Sequence, residues 1–177
     1  MTCSRIVIAL QEFLHQIQYS ISLNLSEKEM IFGVGLGIIA WLGGRRKPHI
    51  RSCYCIFLIL YIALLRRTPI HHESIRWRLQ FGVNTKSWAG NLLNILLYIP
   101  LGWTGAQIQS QKNWMKLLLL GASLSILCEC VQYLTGRGCA DVNDVLWNVV
   151  GMGIGILVKI SLNYRHRVVD RKFRKWC

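Results

Sequence analysis

Residues 114–162 read WMKLLLLGASLSILCECVQYLTGRGCADVNDVLWNVVGMGIGILVKISL, which is two long apolar runs joined by a short polar turn. The runs cover residues 114–134 and 145–162. A helix needs about 20 mainly apolar residues to cross the hydrocarbon core of a bilayer, within a range of about 17–25. Because both runs fall in that range, this stretch predicts two transmembrane helices connected by a tight turn.

Three further apolar runs precede this pair, near residues 30–44, 52–65 and 88–107. The first two are short and reach a full crossing only with flanking residues, whose Lys and Arg side chains can extend to the membrane surface. The predicted fold class is therefore all-α: a polytopic integral membrane helical bundle of about five transmembrane helices. Residues 1–29 are predicted to form an N-terminal amphipathic segment, 30–162 the transmembrane domain and 163–177 a basic cytoplasmic tail.

The composition leaves two classes of protein open, and the position of the charges separates them. Hydrophobic residues make up 53% of the 177 residues, yet the net charge is +13. A nucleic-acid-binding domain would spread its basic residues over one face of a soluble fold. A membrane protein confines them to the segments between apolar runs. The basic clusters of this chain lie between the runs, which favours a membrane protein and excludes nucleic acid as the partner.

The N-terminal segment has two interpretations. Ile6, Leu10, Phe13, Ile17 and Ile21 recur at helical spacing with polar residues between them. This pattern is typical of an amphipathic helix lying in the membrane interface. It is equally typical of a helix packed on the bundle.

The basic residues also predict the orientation in the membrane. In a five-span topology the first loop and the tail share one side and carry ten Lys and Arg residues, whereas the loop 66–87 on the other side carries five. Cytoplasmic segments are the richer in Lys and Arg. We therefore predict a cytoplasmic C-terminus in the cell membrane. The basic loop 66–87 then lies outside, where it indicates an anionic partner.

Polar residues inside the apolar runs fall on one face of each predicted helix. They are Asn91, Asn94 and Tyr98 in the third run, Ser125, Glu129 and Gln132 in the fourth, and Asp141, Asp144 and Asn148 in the fifth. Steps of three and four residues line one stripe of an α-helix. Gly151 and Gly155 continue the last stripe and would let another helix approach closely. The topology predicts that all three stripes meet on the outer side, near Arg66, Arg67 and Arg137.

These residues resemble the VanZ-like family of membrane proteins over roughly Ser52–Leu162. The resemblance rests on Asn91-xx-Asn94 leading into the stretch YIPLG at 98–102, and more heavily on Glu129-xx-Gln132 and the TGR of residues 135–137. The spaced set Asp141, Asp144, Asn148 and Gly151 completes it. Tyr98 stands where the family more often has Phe. The resemblance implies a bacterial multi-pass membrane protein, and the family's namesake is associated with resistance to teicoplanin-type glycopeptide antibiotics.

Three functions are compatible with these residues. In the first, Arg66, Arg67 and Arg137 hold the phosphate of an anionic lipid or lipid-linked cell-wall precursor. The amides that form hydrogen bonds with the rest of this ligand are Asn91, Asn94, Gln132 and Asn148. In the second, the carboxylates Glu129, Asp141 and Asp144 bind Mg²⁺ or Ca²⁺, or divide acid and base roles, in a reaction on a lipid-linked envelope substrate. In the third, the polar residues only hold the helices together, and the protein is a membrane adaptor.

Recognition is the leading hypothesis, and catalysis is the less favoured one. The sequence contains no HExxH motif and no P-loop, and its seven cysteines form no CxxC pair. No cofactor and no metal site is predicted.

Overall fold

The computed structural model describes residues 3–24, 27–44, 47–65, 75–77, 85–109 and 113–173 of the chain. Helices account for nearly all of these residues. They are α1 (Cys3–Asn24), α2 (Glu27–Gly43), α3 (Pro48–Leu60, continued by a π-helical turn at Tyr61–Leu65), α4 (Thr85–Ile108), α5 (Trp114–Leu134) and α6 (Val142–Phe173). Two short strands, β1 (Ile75–Arg76) and β2 (Ala140–Asp141), pair in parallel. Because helices account for nearly all of the described residues, the predicted all-α class is confirmed.

Helices α4 and α6 run in the same direction and form the centre of the bundle. Gly151 and Gly155 of α6 lie directly against α4, because a Cβ added at either position would overlap the carbonyl oxygen of Ile95 or Ile99. Gly102 of α4 approaches the backbone of α6 in the same way. Small residues permit such close contact between helix backbones. The glycine spacing in the sequence therefore reflects a real helix interface.

The other two core helices run antiparallel to this pair. On α5, Ser125 and Gly121 face Asn148 and Met152 of α6, so the two helices run in opposite directions. On α3, Ser52 Oγ donates to Thr104 Oγ1 of α4 at 3.0 Å, far from the start of α4. As a result, α3 and α5 end where α4 and α6 begin. We call this end of the bundle the polar end.

Two of the five predicted spans have the length and apolar character of a membrane helix. Within the described residues these are Trp114–Leu134 and Val142–Arg165. The predicted spans near 30–44 and 52–65 correspond to the shorter apolar helices Ile31–Gly43 and Pro48–Leu64. Helix α4 contains the span predicted at 88–107, but it is not among the helices that qualify. Helix α6 continues through residue 173, beyond the predicted start of the tail at 163.

Large apolar side chains cover much of the outside of the bundle, and polar side chains are buried next to its apolar core. Large apolar side chains are exposed along the outer faces of several helices, including Phe32 and Ile39 on α2, Leu119 and Leu120 on α5, and Leu157 on α6. Buried residues include a guanidinium, a carboxylate and several amides. Apolar patches of this extent on a surface mark contact with a membrane or another protein.

Arg51 corrects one assumption made from the sequence. It counts there among the basic residues of the first loop, but in the structure it lies inside α3 and is buried. Its Nε and Nη2 donate to the carbonyl oxygen of Trp41 at 3.1 and 2.7 Å, and its guanidinium lies 4.6 Å from the centre of the Trp41 ring. Arg51 therefore fastens α2 to α3 instead of facing solvent.

Helix α1 combines features of both interpretations of the N-terminal segment. It contacts α4 and is thus packed on the bundle. Its side chains Leu10 and Leu14 are nevertheless exposed. Helix α1 therefore lies on the bundle while presenting an apolar surface outward.

Candidate functional site at the polar end

Helix α5 ends in a Schellman motif made by the TGR sequence. Gly136 N donates to Tyr133 O at 3.1 Å, and Arg137 N donates to Gln132 O at 2.9 Å. Gly136 has φ = 62°, in the left-handed region that favours glycine. Thr135 adds a side-chain bond from Oγ1 to Val131 O at 2.7 Å. This tight stop turns the chain back, so that α6 begins beside the end of α5.

Asp141 connects three segments at the start of α6. Its Oδ1 accepts a hydrogen bond from Asn143 N at 2.9 Å, in the manner of an N-cap residue. Its own N donates to Glu129 Oε2 of α5 at 2.9 Å. Its Oδ2 lies 3.8 Å from Nη1 of Arg76, which pairs with it across the β1–β2 ladder. Glu129 therefore positions Asp141, and Asp141 positions both β1 and α6.

Gln132 and Arg137 hold the π-helical end of α3. Gln132 Nε2 donates to Ala63 O at 3.0 Å, and Arg137 Nη1 donates to Leu64 O at 2.6 Å. The last carbonyls of a helix have no partner inside the helix, so they require hydrogen-bond donors from elsewhere when they are buried. These two side chains thus supply the C-terminal cap of α3 from a different helix.

Amide side chains connect α4, α5 and α6 at the same level. Asn94 Nδ2 donates to Asp144 Oδ1 at 2.8 Å, and Asn143 Nδ2 donates to Asn91 Oδ1 at 3.3 Å. Asn148 Nδ2 donates to Ser125 Oγ at 2.8 Å. The structure therefore places Asn91, Asn94 and Asn148 in one layer with the carboxylates. Trp88 and Trp147 pack beside this layer with ring centres 6.1 Å apart.

Three of these amides are only half satisfied. Asn91, Asn143 and Asn148 are 4, 7 and 7% exposed. Among the described residues, Asn91 Nδ2, Asn143 Oδ1 and Asn148 Oδ1 have no hydrogen-bond partner. Exchanging N and O in both Asn91 and Asn143 leaves one donor and one acceptor unpaired all the same. Buried polar atoms are rarely left without a partner, so these three require an explanation.

The charges at the polar end are mixed. The described contacts involve the carboxylates of Glu129, Asp141 and Asp144 and the guanidinium groups of Arg76 and Arg137. In the described part of the chain, no three His, Cys, Asp or Glu side chains come close enough together to hold a metal ion. The chemistry available in this cluster is hydrogen bonding by amides and carboxylates, together with the exposed guanidinium of Arg76.

An apolar groove of about 390 Å³ lies beside the cluster, between α5, β1 and the start of α6. Its walls include Ile126, Cys130 and Tyr133 of α5, Trp77 beyond β1, and Val142 and Val145 of α6. Glu129 and Asp141 also border it, but the surface it presents is apolar. This groove is open to the outside of the bundle on the face of α5 where Ile126 is exposed.

The site residues coincide with the region of the chain that a known family shares. The family model described as VanZ/LLP1 matches residues 52–163, which is well over half of the chain. The chain belongs to the VanZ/LLP1 family. This confirms the resemblance read from the spaced motifs. Neither the curated proteins nor the solved structures give a match.

In this VanZ/LLP1 chain, the matched region begins within α3 and ends within α6, and so excludes α1 and α2. It contains every residue of the hydrogen-bonded cluster described above. Of the predicted site residues, Arg66 and Arg67 lie outside the described residues. The structure brings the others together: Asn91, Asn94, Glu129, Gln132, Arg137, Asp141, Asp144 and Asn148.

Two residues of the site escaped the sequence interpretation. Asn143 lies off the stripe formed by Asp141, Asp144 and Asn148, yet it is the partner of Asn91. Its position two residues after an N-cap Asp, in the first turn of a helix, was the available signal. Arg76 belongs to a polar loop without periodicity, and only the β1–β2 pairing brings it to Asp141.

Proposed function

We propose that the protein is a multi-pass membrane protein of about five spans whose polar end faces outward and recognises the polar head of a cell-envelope lipid or lipid-linked precursor. The C-terminus is cytoplasmic in this proposal. The head is phosphate-bearing and meets the amides of Asn91, Asn143 and Asn148. The bound protein shields it from other molecules.

The three half-satisfied amides carry this proposal. An unsatisfied buried polar group costs about 1–3 kcal/mol, and more where water is scarce. A ligand that offers both acceptors and donors, as sugar hydroxyls and peptide groups do, would satisfy Asn91 Nδ2, Asn143 Oδ1 and Asn148 Oδ1 together. All three atoms belong to one layer between α4, α5 and α6.

A purely structural role explains only part of the cluster. Glu129, Gln132 and Arg137 each bond a backbone group of another segment, so their presence follows from helix packing alone. Amides that served only as links between helices would be expected to use both of their polar atoms. Asn91 and Asn143 use one each.

The membrane placement is supported by dimensions and by aromatic residues. Helix α5 begins at Trp114, and Tyr133 lies one residue before its end. At 1.5 Å per residue, the two aromatics are about 29 Å apart along the helix axis, close to the thickness of a bilayer core. Trp and Tyr concentrate at the two membrane–water interfaces. The positions of Trp114 and Tyr133 support a helix that crosses the membrane and reaches the interface at the polar end.

Copurifying lipid tests the proposal. The protein is extracted in a mild detergent and its bound lipids are identified by native mass spectrometry. We expect a lipid or precursor with a phosphate-bearing head on the wild-type protein. The double variant Asn91→Leu with Asn143→Leu should lose it. Asn163→Leu, at the far end of α6, should retain it as the matched control. An equally occupied double variant would refute the proposal.

Resistance to teicoplanin-type glycopeptides is the proposed consequence of this shielding. In a susceptible bacterial host, expression of the wild-type chain should raise the inhibitory concentration of teicoplanin. The Asn91→Leu/Asn143→Leu variant at equal membrane abundance should not. Equal protection by the wild type and the double variant would show that resistance does not depend on the amide layer, which contradicts this part of the proposal.

A further inference from the structure

We propose that the apolar groove beside the polar end is a lateral docking site for the hydrocarbon chain of a phospholipid whose head carries a primary ammonium group. This inference goes beyond the proposed function, because the lipid in the groove is held at its rim and not by the amides of Asn91, Asn143 and Asn148. The head is held at the Arg76–Asp141 ion pair at the rim, and the chain lies along α5.

The groove has the shape and surface that a hydrocarbon chain requires. Ile126, Cys130 and Tyr133 follow one stripe of α5, which spans about 10 Å along the helix axis. Its volume of about 390 Å³ falls in the range of pockets that bind small ligands. Trp77, three-quarters exposed, stands as the opposite wall. Because α5 is apolar enough to span a bilayer, its open face meets lipid chains directly.

The rim of the groove carries opposite charges in a loose pair. Arg76 is 65% exposed and Asp141 is 19% exposed, and their nearest polar atoms are 3.8 Å apart. That separation is longer than a hydrogen bond, so both groups retain capacity for a further partner. A phosphate complements the guanidinium, which binds phosphates in a bidentate manner. The ammonium group next to the phosphate complements the carboxylate.

The choice of head group follows from this order of charges. A primary ammonium donates up to three hydrogen bonds, whereas a trimethylammonium group donates none. A glycerol head has hydroxyl donors but no positive charge for Asp141. Charge-assisted hydrogen bonds are about twice as strong as neutral ones. Phosphatidylethanolamine therefore fits the rim better than phosphatidylcholine or phosphatidylglycerol.

Competition between lipids in nanodiscs tests the head group. The protein is reconstituted into nanodiscs containing equal amounts of phosphatidylethanolamine, phosphatidylcholine and phosphatidylglycerol with identical chains. Lipid retained after release from the disc is counted by native mass spectrometry. We expect phosphatidylethanolamine to be enriched about tenfold over the other two. Arg76→Gln should remove most of this preference, and the exposed control Lys116→Gln should leave it intact. Equal retention of the three lipids, or preference for phosphatidylglycerol, would overturn the inference.

Filling the groove with a larger side chain tests the position of the lipid's hydrocarbon chain. Cys130→Trp places a large ring in the groove, and Leu127→Trp places the same ring on an exposed site of α5 outside it. We expect the first variant to lose retained phosphatidylethanolamine and the second to keep it. Retention by both variants would refute the groove as the docking site. If both tryptophan variants retain phosphatidylethanolamine but the Asn91→Leu/Asn143→Leu variant loses the copurifying lipid, the proposed function stands and only the docking site in the groove is wrong.

Discussion

Replacing Asn91 and Asn143 together by leucine is expected to stabilise the ligand-free protein. In the wild-type chain this pair shares one hydrogen bond of 3.3 Å and leaves Asn91 Nδ2 and Asn143 Oδ1 without partners among the described residues. Two unsatisfied buried atoms cost about 2–6 kcal/mol in total. The lost hydrogen bond contributes about 0.5–1.5 kcal/mol. The double variant should therefore gain roughly 0.5–5.5 kcal/mol in free energy of unfolding.

The single variants should behave differently from the double variant. Asn91→Leu removes the only described partner of the Asn143 side chain, and Asn143→Leu does the same to the Asn91 side chain. Each single variant leaves a whole amide buried and unsatisfied, so each should be less stable than the double variant. The resulting coupling energy between the two positions should be about 1–3 kcal/mol and favour the double replacement.

Unfolding of delipidated protein in mixed micelles measures all four members of this cycle. The free energy is taken from the fraction folded as the denaturing detergent is increased. Asn163→Leu controls for the added apolar surface on α6. A double variant less stable than the wild type by more than about 1 kcal/mol would show that the amides are fully satisfied in the empty protein. The amides would then need no ligand, and the proposed head-group site would be refuted.

Three further predictions concern the frame that holds the site. Gly151→Ala should destabilise the protein by about 2 kcal/mol or more, because the added Cβ meets the α4 backbone. Gly153→Ala should be nearly neutral and serves as the control. Thermal unfolding compares the two variants, and equal losses of stability would argue against backbone contact at Gly151. Gln132→Ala should cost about 1–3 kcal/mol by leaving Ala63 O unsatisfied, and faster hydrogen exchange confined to the end of α3 is its expected signature. Gly136→Ala should cost about 1–2 kcal/mol from its left-handed φ; an unchanged melting temperature would contradict the motif assigned to this turn.

The periodic parts of the structure could be predicted from the sequence. Steps of three and four residues placed Asn94, Glu129 and Asp144 on the inner faces of their helices, since side-chain direction in a helix follows from spacing. The spacing of Gly151 and Gly155 likewise predicted a close contact with another helix. These inferences succeed because a regular helix converts sequence position directly into angular position.

The remaining parts depend on contacts that spacing does not encode. The pairing of Ile75 with Ala140 joins segments 65 residues apart and involves only two residues on each side. Arg51 lies just after Pro48 in a basic stretch and therefore resembles a loop charge, but the carbonyl of Trp41 and its ring provide the partners for burial. The number of spans is equally difficult to fix, because α4 combines a spanning length with buried polar residues that lower its apolar character.

The π-helical end of α3 has a consequence for biosynthesis. The side chains that satisfy Ala63 O and Leu64 O lie 69 and 73 residues later in the chain. When α3 leaves the ribosome, neither α5 nor the turn that follows it has been made. Until α5 and its turn are present, the last carbonyls of α3 lack these two donors and must bond to water. Ribosome-stalled chains that end before residue 132 should therefore expose this segment to water, and chains long enough for residue 137 to have left the ribosome should protect it.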